Sequence, residues 1–228
     1  MATTENQVSK DEYNTHNYIN DQKGFWSWIM TVDHKRLGVM YLFSTLFFFI
    51  IGGACALAFR TELAQSGMQV LGKTEQEAKQ LYNVLFTLHG VIMVFLFIVP
   101  GIPATIGNFV LPLMLGAKDV VFPRLNRFSY WIYCVGAFIA LFSVYLGLDT
   151  GWTFYAPYSI QNSGAVIAAT LAAFVLGFSS ILTGLNFIVT MHKMRAPGMT
   201  WEKMPLFCWA LYSASLLQVI ATPIVGLT

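Results

Sequence analysis

The chain has 228 residues, of which 56% are hydrophobic and only 11% charged, with a formal net charge of +2. A soluble domain has about a quarter of its residues charged, so this composition excludes an ordinary soluble protein. The basic residues form no patch beyond short loops, which argues against nucleic acid as a partner. Each uncharged stretch is long enough for the about 20 apolar residues that one membrane span needs. These stretches are 37–59, 80–117, 128–148, 150–192 and 207–228.

In chain order, a polar segment at 1–24 comes first and is expected to be a cytoplasmic or matrix tail. It has acidic residues and no apolar core before a small-residue cleavage site, so no signal peptide is predicted. An aromatic segment at 25–30 is typical of the membrane interface. The remainder, 25–228, is predicted to be an all-α integral membrane domain, a bundle of about five transmembrane helices.

Helix I is predicted at 37–59 and helix II at 82–114, with a short surface helix near 75–79 in the outer loop between them. Pro100 and Pro103 lie inside helix II, which is long for one span. A proline removes a helical hydrogen bond, so a tilt or kink is expected there.

Helix III is predicted at 128–148, helix IV at 165–192, and helix V from Pro205 to the end of the chain. With the N-terminus inside, most Lys and Arg residues fall on the inner side, which is the bias that membrane proteins show. The inner residues are Lys10, Lys23, Lys35, Arg36, Lys118, Arg124, Arg127, Lys193, Arg195 and Lys203, and the outer ones are Arg60, Lys73 and Lys79.

His89 is the most informative residue, because no charged residue occurs between positions 80 and 117. An imidazole at membrane depth is costly unless something binds it, and imidazole is the commonest metal ligand among side chains. Gly90 beside it suits the close approach of a flat macrocycle. The alternative is a buried histidine that bonds a neighbouring helix.

Arg60 ends helix I on the same side of the membrane as His89. It could snorkel to the interface or donate to a carbonyl or carboxylate of a bound cofactor. The group 33–36 before helix I is interpreted as an anchor at the inner face. Cys55, Cys134 and Cys208 lie in apolar runs and are expected to be small buried side chains.

Asp119 lies in the inner loop after helix II, whereas Asn108, Ser179, Ser180 and Asn186 lie inside membrane helices. Polar groups in a bundle need partners. If these side chains face one another, they could line a file of water that leads inward from Asp119. The competing interpretation is that they join helices to each other.

Several spaced motifs together carry a resemblance to a known family. They include 31–38 (TVDHKRLG), 60–63 (RTEL), 87–90 (TLHG), 107–108 with 113–117 (GN, LMLGA), 151–157 (GWTFYAP), 179–187 (SSILTGLNF) and 194–200 (MRAPGMT). From about residue 26 to its end, the chain resembles subunit I of the haem-copper terminal oxidases, the cytochrome c oxidase group.

The resemblance implies roles for individual residues. His89 matches one axial ligand of the low-spin haem iron, the haem being haem A, and Arg60 matches the arginine that bonds the formyl group of that haem. Tyr82 and Met93 are further expected cofactor contacts, and Glu62 marks a possible outer cation site. The expected proton channel has Asp119 at its mouth and contains Asn108, Asn126, Asn186, Ser179 and Ser180.

The resemblance also implies that the chain is the first part of a twelve-helix subunit. The ligands of the high-spin haem and copper would lie beyond residue 228, so this segment alone lacks the oxygen-reducing centre. Expected partners are the remainder of subunit I, subunits II and III, the lipid bilayer, and cytochrome c as electron donor. The expected location is the bacterial inner membrane or, second, the mitochondrial inner membrane.

Three other functions remain open at this stage. A quinol oxidase of the same superfamily would differ in its electron donor. A non-catalytic haem-binding membrane fragment would lack the ligand opposite His89. A transporter with polar residues at mid-membrane is expected to have inverted repeats, and no internal repeat is visible in the sequence.

Overall fold

The computed structural model describes residues 18–19, 24–68, 70–161 and 163–227, and all regular structure within these ranges is helical. Five helices are long and apolar enough to cross a membrane, which confirms the predicted all-α membrane fold. The polar tail predicted at 1–24 lies almost wholly outside the described residues. The helices are α1 (Phe25–Ile29), α2 (His34–Glu62), α3 (Glu75–Val91), α4 (Asn108–Leu115), α5 (Pro123–Tyr145), α6 (Tyr158–Gln161), α7 (Ser163–Lys193) and α8 (Leu206–Leu227).

The first span is longer at both ends than the predicted 37–59. It begins at His34 because Asp33 caps the helix, with its Oδ1 accepting from the backbone N–H groups of Lys35 (2.8 Å) and Arg36 (2.9 Å). A side-chain acceptor at this position satisfies N–H groups that have no helical partner.

The second span runs from Glu75 to Leu115 without a break. The separate surface helix predicted near 75–79 is therefore wrong, because those residues form the first turn and a half of α3. Thr74 caps this helix and accepts from the N–H of Glu77 at 3.3 Å. The third span similarly begins at Pro123 and not at residue 128, since proline fits the first turn of a helix.

Two π-helical segments, Ile92–Ile98 and Gly101–Gly107, stand between α3 and α4. They are the local form of the distortion predicted from Pro100 and Pro103. In a regular α-helix the Leu96 carbonyl would accept from the N–H that Pro100 lacks. Here the Tyr133 hydroxyl on α5 donates to that carbonyl at 2.8 Å.

Small residues allow the helices to approach closely. A Cβ on Gly136 of α5 would lie 2.7 Å from the Leu176 Cγ of α7, and one on Gly177 would lie 2.7 Å from the Thr222 Cγ2 of α8. Close approach at small residues is a usual basis of helix packing in membranes. Helices α5, α7 and α8 therefore form one packed row.

Arg36 organises the inner end of α2. Its guanidinium donates to the carbonyls of Tyr18 and Ile19 and to the Ser27 hydroxyl, and it lies over the Trp28 ring. Arg36 and His34 are only 3% and 2% exposed. The interpretation of 33–36 as an anchor at the inner face stays a prediction, but two of its side chains are buried in the protein.

The three cysteines are free, with Cys55 and Cys208 buried and Cys134 partly buried. They belong to the apolar interior, as their sequence context predicts. Apolar packing, rather than a disulfide framework, therefore accounts for all three.

Candidate functional site

The His89 imidazole is held in one orientation by helix α2. Its Nδ1 donates to the Gly52 carbonyl at 2.9 Å, so the proton of the neutral ring is on Nδ1. Nε2 then carries the lone pair and has no hydrogen-bond partner among the described residues. A histidine that is oriented in this way presents one nitrogen as a metal ligand.

Aromatic rings surround the half-buried His89 side chain. The Phe59 ring stands edge-on to the imidazole, with 5.7 Å between centroids, and also contacts Tyr82 and Phe86. The Tyr82 and Phe86 rings are nearly parallel, 8° apart in plane. Apolar walls of this kind suit a flat, mostly apolar ligand.

Arg60 follows Phe59 at the outer end of α2 and is exposed. In the described parts of the chain, its guanidinium has no hydrogen bond or ion pair. The N–H groups of Arg60 are therefore available to an acceptor between α2 and α3.

Met93 lies against Gly52 of α2. A Cβ added to Gly52 would lie 3.2 Å from the Met93 Sδ, so Met93 contacts the residue whose carbonyl orients His89. A direct cofactor contact for Met93 and Tyr82 remains a prediction.

The sequence suggested that Gly90 makes room for a flat macrocycle, but its neighbour in the structure is Trp152. A Cβ on Gly90 would lie 2.9 Å from Cδ1 of Trp152, so the indole already fills that space. Trp152 belongs to the loop 146–157 between α5 and α6, which is called the outer loop after its predicted side. Gly151, the residue before Trp152, donates its N–H to the Thr87 hydroxyl at 2.8 Å. The outer loop is thus attached to the turn that carries His89.

The Glu62 carboxylate closes the loop between α2 and α3. Its Oε2 accepts from the N–H groups of Val70 (2.7 Å) and Leu71 (2.9 Å). The described residues contain no group of three His, Cys, Asp or Glu side chains that could hold a metal. An outer cation site at Glu62 therefore stays a prediction.

On the inner side, Asp119 is paired with His34. Asp119 Oδ1 lies 3.1 Å from His34 Nδ1 and also accepts from the Val120 N–H at 2.6 Å. The carboxylate is 31% exposed, whereas the imidazole is 2% exposed. His34 Nε2 is buried and has no partner among the described atoms.

Asn108 and Asn126, both fully buried, form a direct amide pair. Asn126 Nδ2 donates to Asn108 Oδ1 at 2.7 Å, and Asn108 Nδ2 donates to the Ala104 carbonyl at 2.7 Å. Asn126 Oδ1 has no partner among the described atoms. Since a buried polar atom without a partner is costly, this position suits a bound water.

A hydroxyl network continues from this amide pair. The Ser129 hydroxyl donates to the Asn126 carbonyl at 2.7 Å and lies 3.3 Å from the Tyr41 hydroxyl. Thr183 donates to the Ser129 hydroxyl at 3.2 Å, and Ser179 donates to the Ser129 carbonyl at 2.7 Å. The structure therefore brings Asn108, Asn126 and Ser179 into one polar region.

Two other predicted channel residues make different contacts. Asn186 binds both backbone groups of Phe122, accepting from its N–H at 3.0 Å and donating to its carbonyl at 3.2 Å. Ser180 donates to the Leu176 carbonyl of its own helix at 3.2 Å. No hydrogen bond between described residues joins Asp119 to any of the three asparagines.

A cavity of about 1200 Å³ borders the hydroxyl network. Ser179, Ser180, Thr183 and Tyr41 line it together with Trp152 of the outer loop. The network therefore borders a largely apolar space, and Asp119 is not among the residues that line it.

Four residues of this region were not identified from the sequence: His34, Tyr41, Ser129 and Thr183. His34 lies among the charged residues Asp33, Lys35 and Arg36, so nothing in the sequence indicated that it is buried. Tyr41, Ser129 and Thr183 belong to helices that are mostly apolar, and their partners lie far away in the sequence. A search for isolated hydroxyl groups in the predicted spans could have found the last three.

The sequence pattern of one family, described as cytochrome C and quinol oxidase polypeptide I, matches residues 36–228. The chain belongs to this family. Five membrane helices and the absence of strands among the described residues agree with this membership. Members of this oxidase family generally bind haem and copper.

Curated relatives agree with the family match. The chain is 42% identical over 207 residues to cytochrome c oxidase subunit 1 of Thermostichus vulcanus, which covers 88% of this chain and 36% of that protein. It is 34% identical over 241 residues to the same subunit of Cereibacter sphaeroides, covering 92% of this chain and 43% of the relative. The chain thus spans well under half the length of these relatives.

Within the oxidase family, the residues present fit one side of a haem. His89 offers a single oriented Nε2, and the Phe59 ring flanks it. Arg60 follows Phe59 in the sequence and has no hydrogen bond among the described residues. One imidazole would supply one ligand of a haem iron, and a six-coordinate iron would take its second ligand from elsewhere in the enzyme.

Proposed function

We propose that the chain is the N-terminal part of the catalytic subunit of a proton-pumping respiratory terminal oxidase. The complete enzyme would oxidise cytochrome c and reduce oxygen to water. The observation that carries the proposal is the hydrogen bond from His89 Nδ1 to the Gly52 carbonyl, which leaves Nε2 available as a ligand. The family match and the relatives named cytochrome c oxidase subunit 1 support it.

In this proposal, His89 Nε2 is an axial ligand of a low-spin haem A, and the Arg60 guanidinium donates to the haem periphery. Such a haem supplies reversible one-electron transfer. The Gly52 carbonyl keeps the His89 proton on Nδ1 and raises the basicity of the ligating nitrogen. Phe59, Tyr82 and Phe86 exclude water from that side.

The inner residues would form the lower part of a proton channel. Asp119 Oδ2 has no partner among the described residues and would take up a proton from the inner aqueous side. Waters held near the unpartnered Asn126 Oδ1 would connect it to the Ser129, Ser179 and Thr183 network. Ser180 and Asn186 are also proposed members of this channel. Ser180 lines the cavity, and Asn186 bonds the Phe122 backbone.

The family match supports the proposed setting. The remainder of subunit I would supply the opposite haem ligand and the high-spin haem and copper site, and subunits II and III would complete the complex. The relatives' names favour cytochrome c over quinol as electron donor. We place the chain in a bacterial inner membrane with its N-terminus in the cytoplasm.

A reduced-minus-oxidised optical spectrum of the complex purified through this chain tests the haem site. We expect an A-type haem band in the native complex and loss of the low-spin component in His89→Ala, because alanine removes the axial nitrogen. His192→Ala is the matched control, since His192 bonds Tyr212 at the inner end of α7. A native complex without any haem band would refute the proposal.

A further inference from the structure

The turn of α3 that carries His89 is fixed on two different faces. On one face, His89 bonds the Gly52 carbonyl of α2. On another, Thr87 and Gly90 contact the outer loop through Gly151 and Trp152. Successive residues of an α-helix are about 100° apart, so Thr87 and Gly90 share a face that points away from His89.

The Thr87 hydroxyl is the link between this helix and the loop. It is 0% exposed, donates to the Asn83 carbonyl at 2.7 Å and accepts from the Gly151 N–H at 2.8 Å. A threonine that bonds only its own helix needs no loop partner, so the second bond is a tertiary contact. Gly151 has a φ of +80°, a conformation that favours glycine.

Trp152 adds a second contact beside the first. Its indole fills the space that a Cβ on Gly90 would occupy, and its ring lies 6.5 Å from that of Phe95. The loop therefore touches the residues two before and one after His89. Rotation of this turn about the helix axis would break both contacts and swing His89 Nε2 away from its present direction.

We propose that Thr87 is a positioning residue for the His89 ligand. Its bond to Gly151, together with the Trp152–Gly90 contact, fixes the rotation of the turn and hence the plane of the imidazole. This inference rests on the proposed role of His89 as ligand of a low-spin haem, and it goes beyond that role by assigning a function to the outer loop.

Thr87→Val in the complete oxidase complex tests the inference, because valine keeps the shape and removes both hydrogen bonds. We expect shifted electron paramagnetic resonance g-values and a shifted midpoint potential of the low-spin haem, with haem content unchanged. Turnover should fall about tenfold, the low end of the loss when a metal ligand loses its supporting partner. Thr87→Ser should restore all three values.

Thr45→Val is the matched control, since Thr45 is buried and its hydroxyl, among the described residues, bonds only the Leu42 carbonyl of its own helix. Gly90→Ala is a second test that leaves the hydroxyl in place but displaces Trp152. Native g-values in both Thr87→Val and Gly90→Ala, or equal shifts in Thr45→Val, would overturn the inference. A native complex without a low-spin haem signal would instead overturn the underlying proposal for His89.

Discussion

The two carboxylate oxygens of Asp119 have different surroundings. Oδ1 is held by His34 and by the Val120 N–H, while Oδ2 has no partner among the described residues. One oxygen therefore fixes the side chain, and the other is free to exchange a proton with water. This division agrees with the role proposed for Asp119, because one oxygen fixes the side chain and the other faces no protein partner among the described residues.

Asp119→Asn should lower oxygen consumption by the complete complex by about 100-fold, at the low end of what the loss of a proton-transferring group costs. An amide keeps the size of the side chain but cannot take up a proton at Oδ2. The measurement is oxygen consumption with reduced cytochrome c as donor. Asp33→Asn is the matched control because asparagine caps a helix as well as aspartate does. Native turnover in Asp119→Asn would exclude Asp119 from the pathway.

His89 could be identified from the sequence because it is isolated in a long uncharged stretch. His34 could not, because Lys35 and Arg36 beside it resemble an ordinary inner-face anchor. Its burial depends on Asp119, which is 85 positions away along the chain. Local composition identifies polar residues in apolar segments, but it does not identify which charged-looking segment folds inward.

At the scale of helices, the number of membrane spans followed from the uncharged stretches, while their ends and their internal geometry did not. Caps at Asp33 and Thr74 extend two helices beyond their apolar parts. The two π segments were foreseen only as a distortion near Pro100 and Pro103. Their form depends on tertiary partners such as Tyr133, which no periodicity in the second span reveals.

The α5–α7 contact should be sensitive to a single methyl group. Gly136→Ala would place a Cβ 2.7 Å from Leu176 Cγ and 3.2 Å from the Leu176 backbone nitrogen. Overpacking of this kind costs about 1–3 kcal/mol, so the midpoint of thermal unfolding of the purified complex should fall. Gly53→Ala on α2 is the control because no described atom lies within 4 Å of its Cβ position. Equal midpoints for the two variants would contradict the proposed packing.

At the scale of the whole molecule, the two sites lie toward opposite ends of the bundle. The His89 turn is attached to the loop that holds Gly151, while Asp119 belongs to the loop between α4 and α5. The cavity lined by Trp152 and Ser179 lies between them. Under the proposed function, proton uptake and electron transfer would occur at separate places, which the remainder of the subunit would have to connect.

The proposed orientation predicts which loops face the cytoplasm. Cysteine introduced at exposed Lys73 should react with a membrane-impermeant maleimide in intact cells, and cysteine at exposed Lys118 should react only in inverted membrane vesicles. The excess of Lys and Arg on the inner side is the physical basis. The unmodified chain is the control for its own cysteines, and the opposite labelling pattern would invert the topology.

The π segments between α3 and α4 set the direction in which Asn108 points relative to His89 around the helix axis. A π turn holds more residues than an α turn, so each one changes the direction in which every later side chain of the span points. Deleting one residue within Gly101–Gly107 would turn Asn108 away from Asn126 while leaving the His89 turn in register. Such a deletion would therefore disrupt the proposed proton pathway and keep the proposed haem ligand, which separates the two functions in one helix.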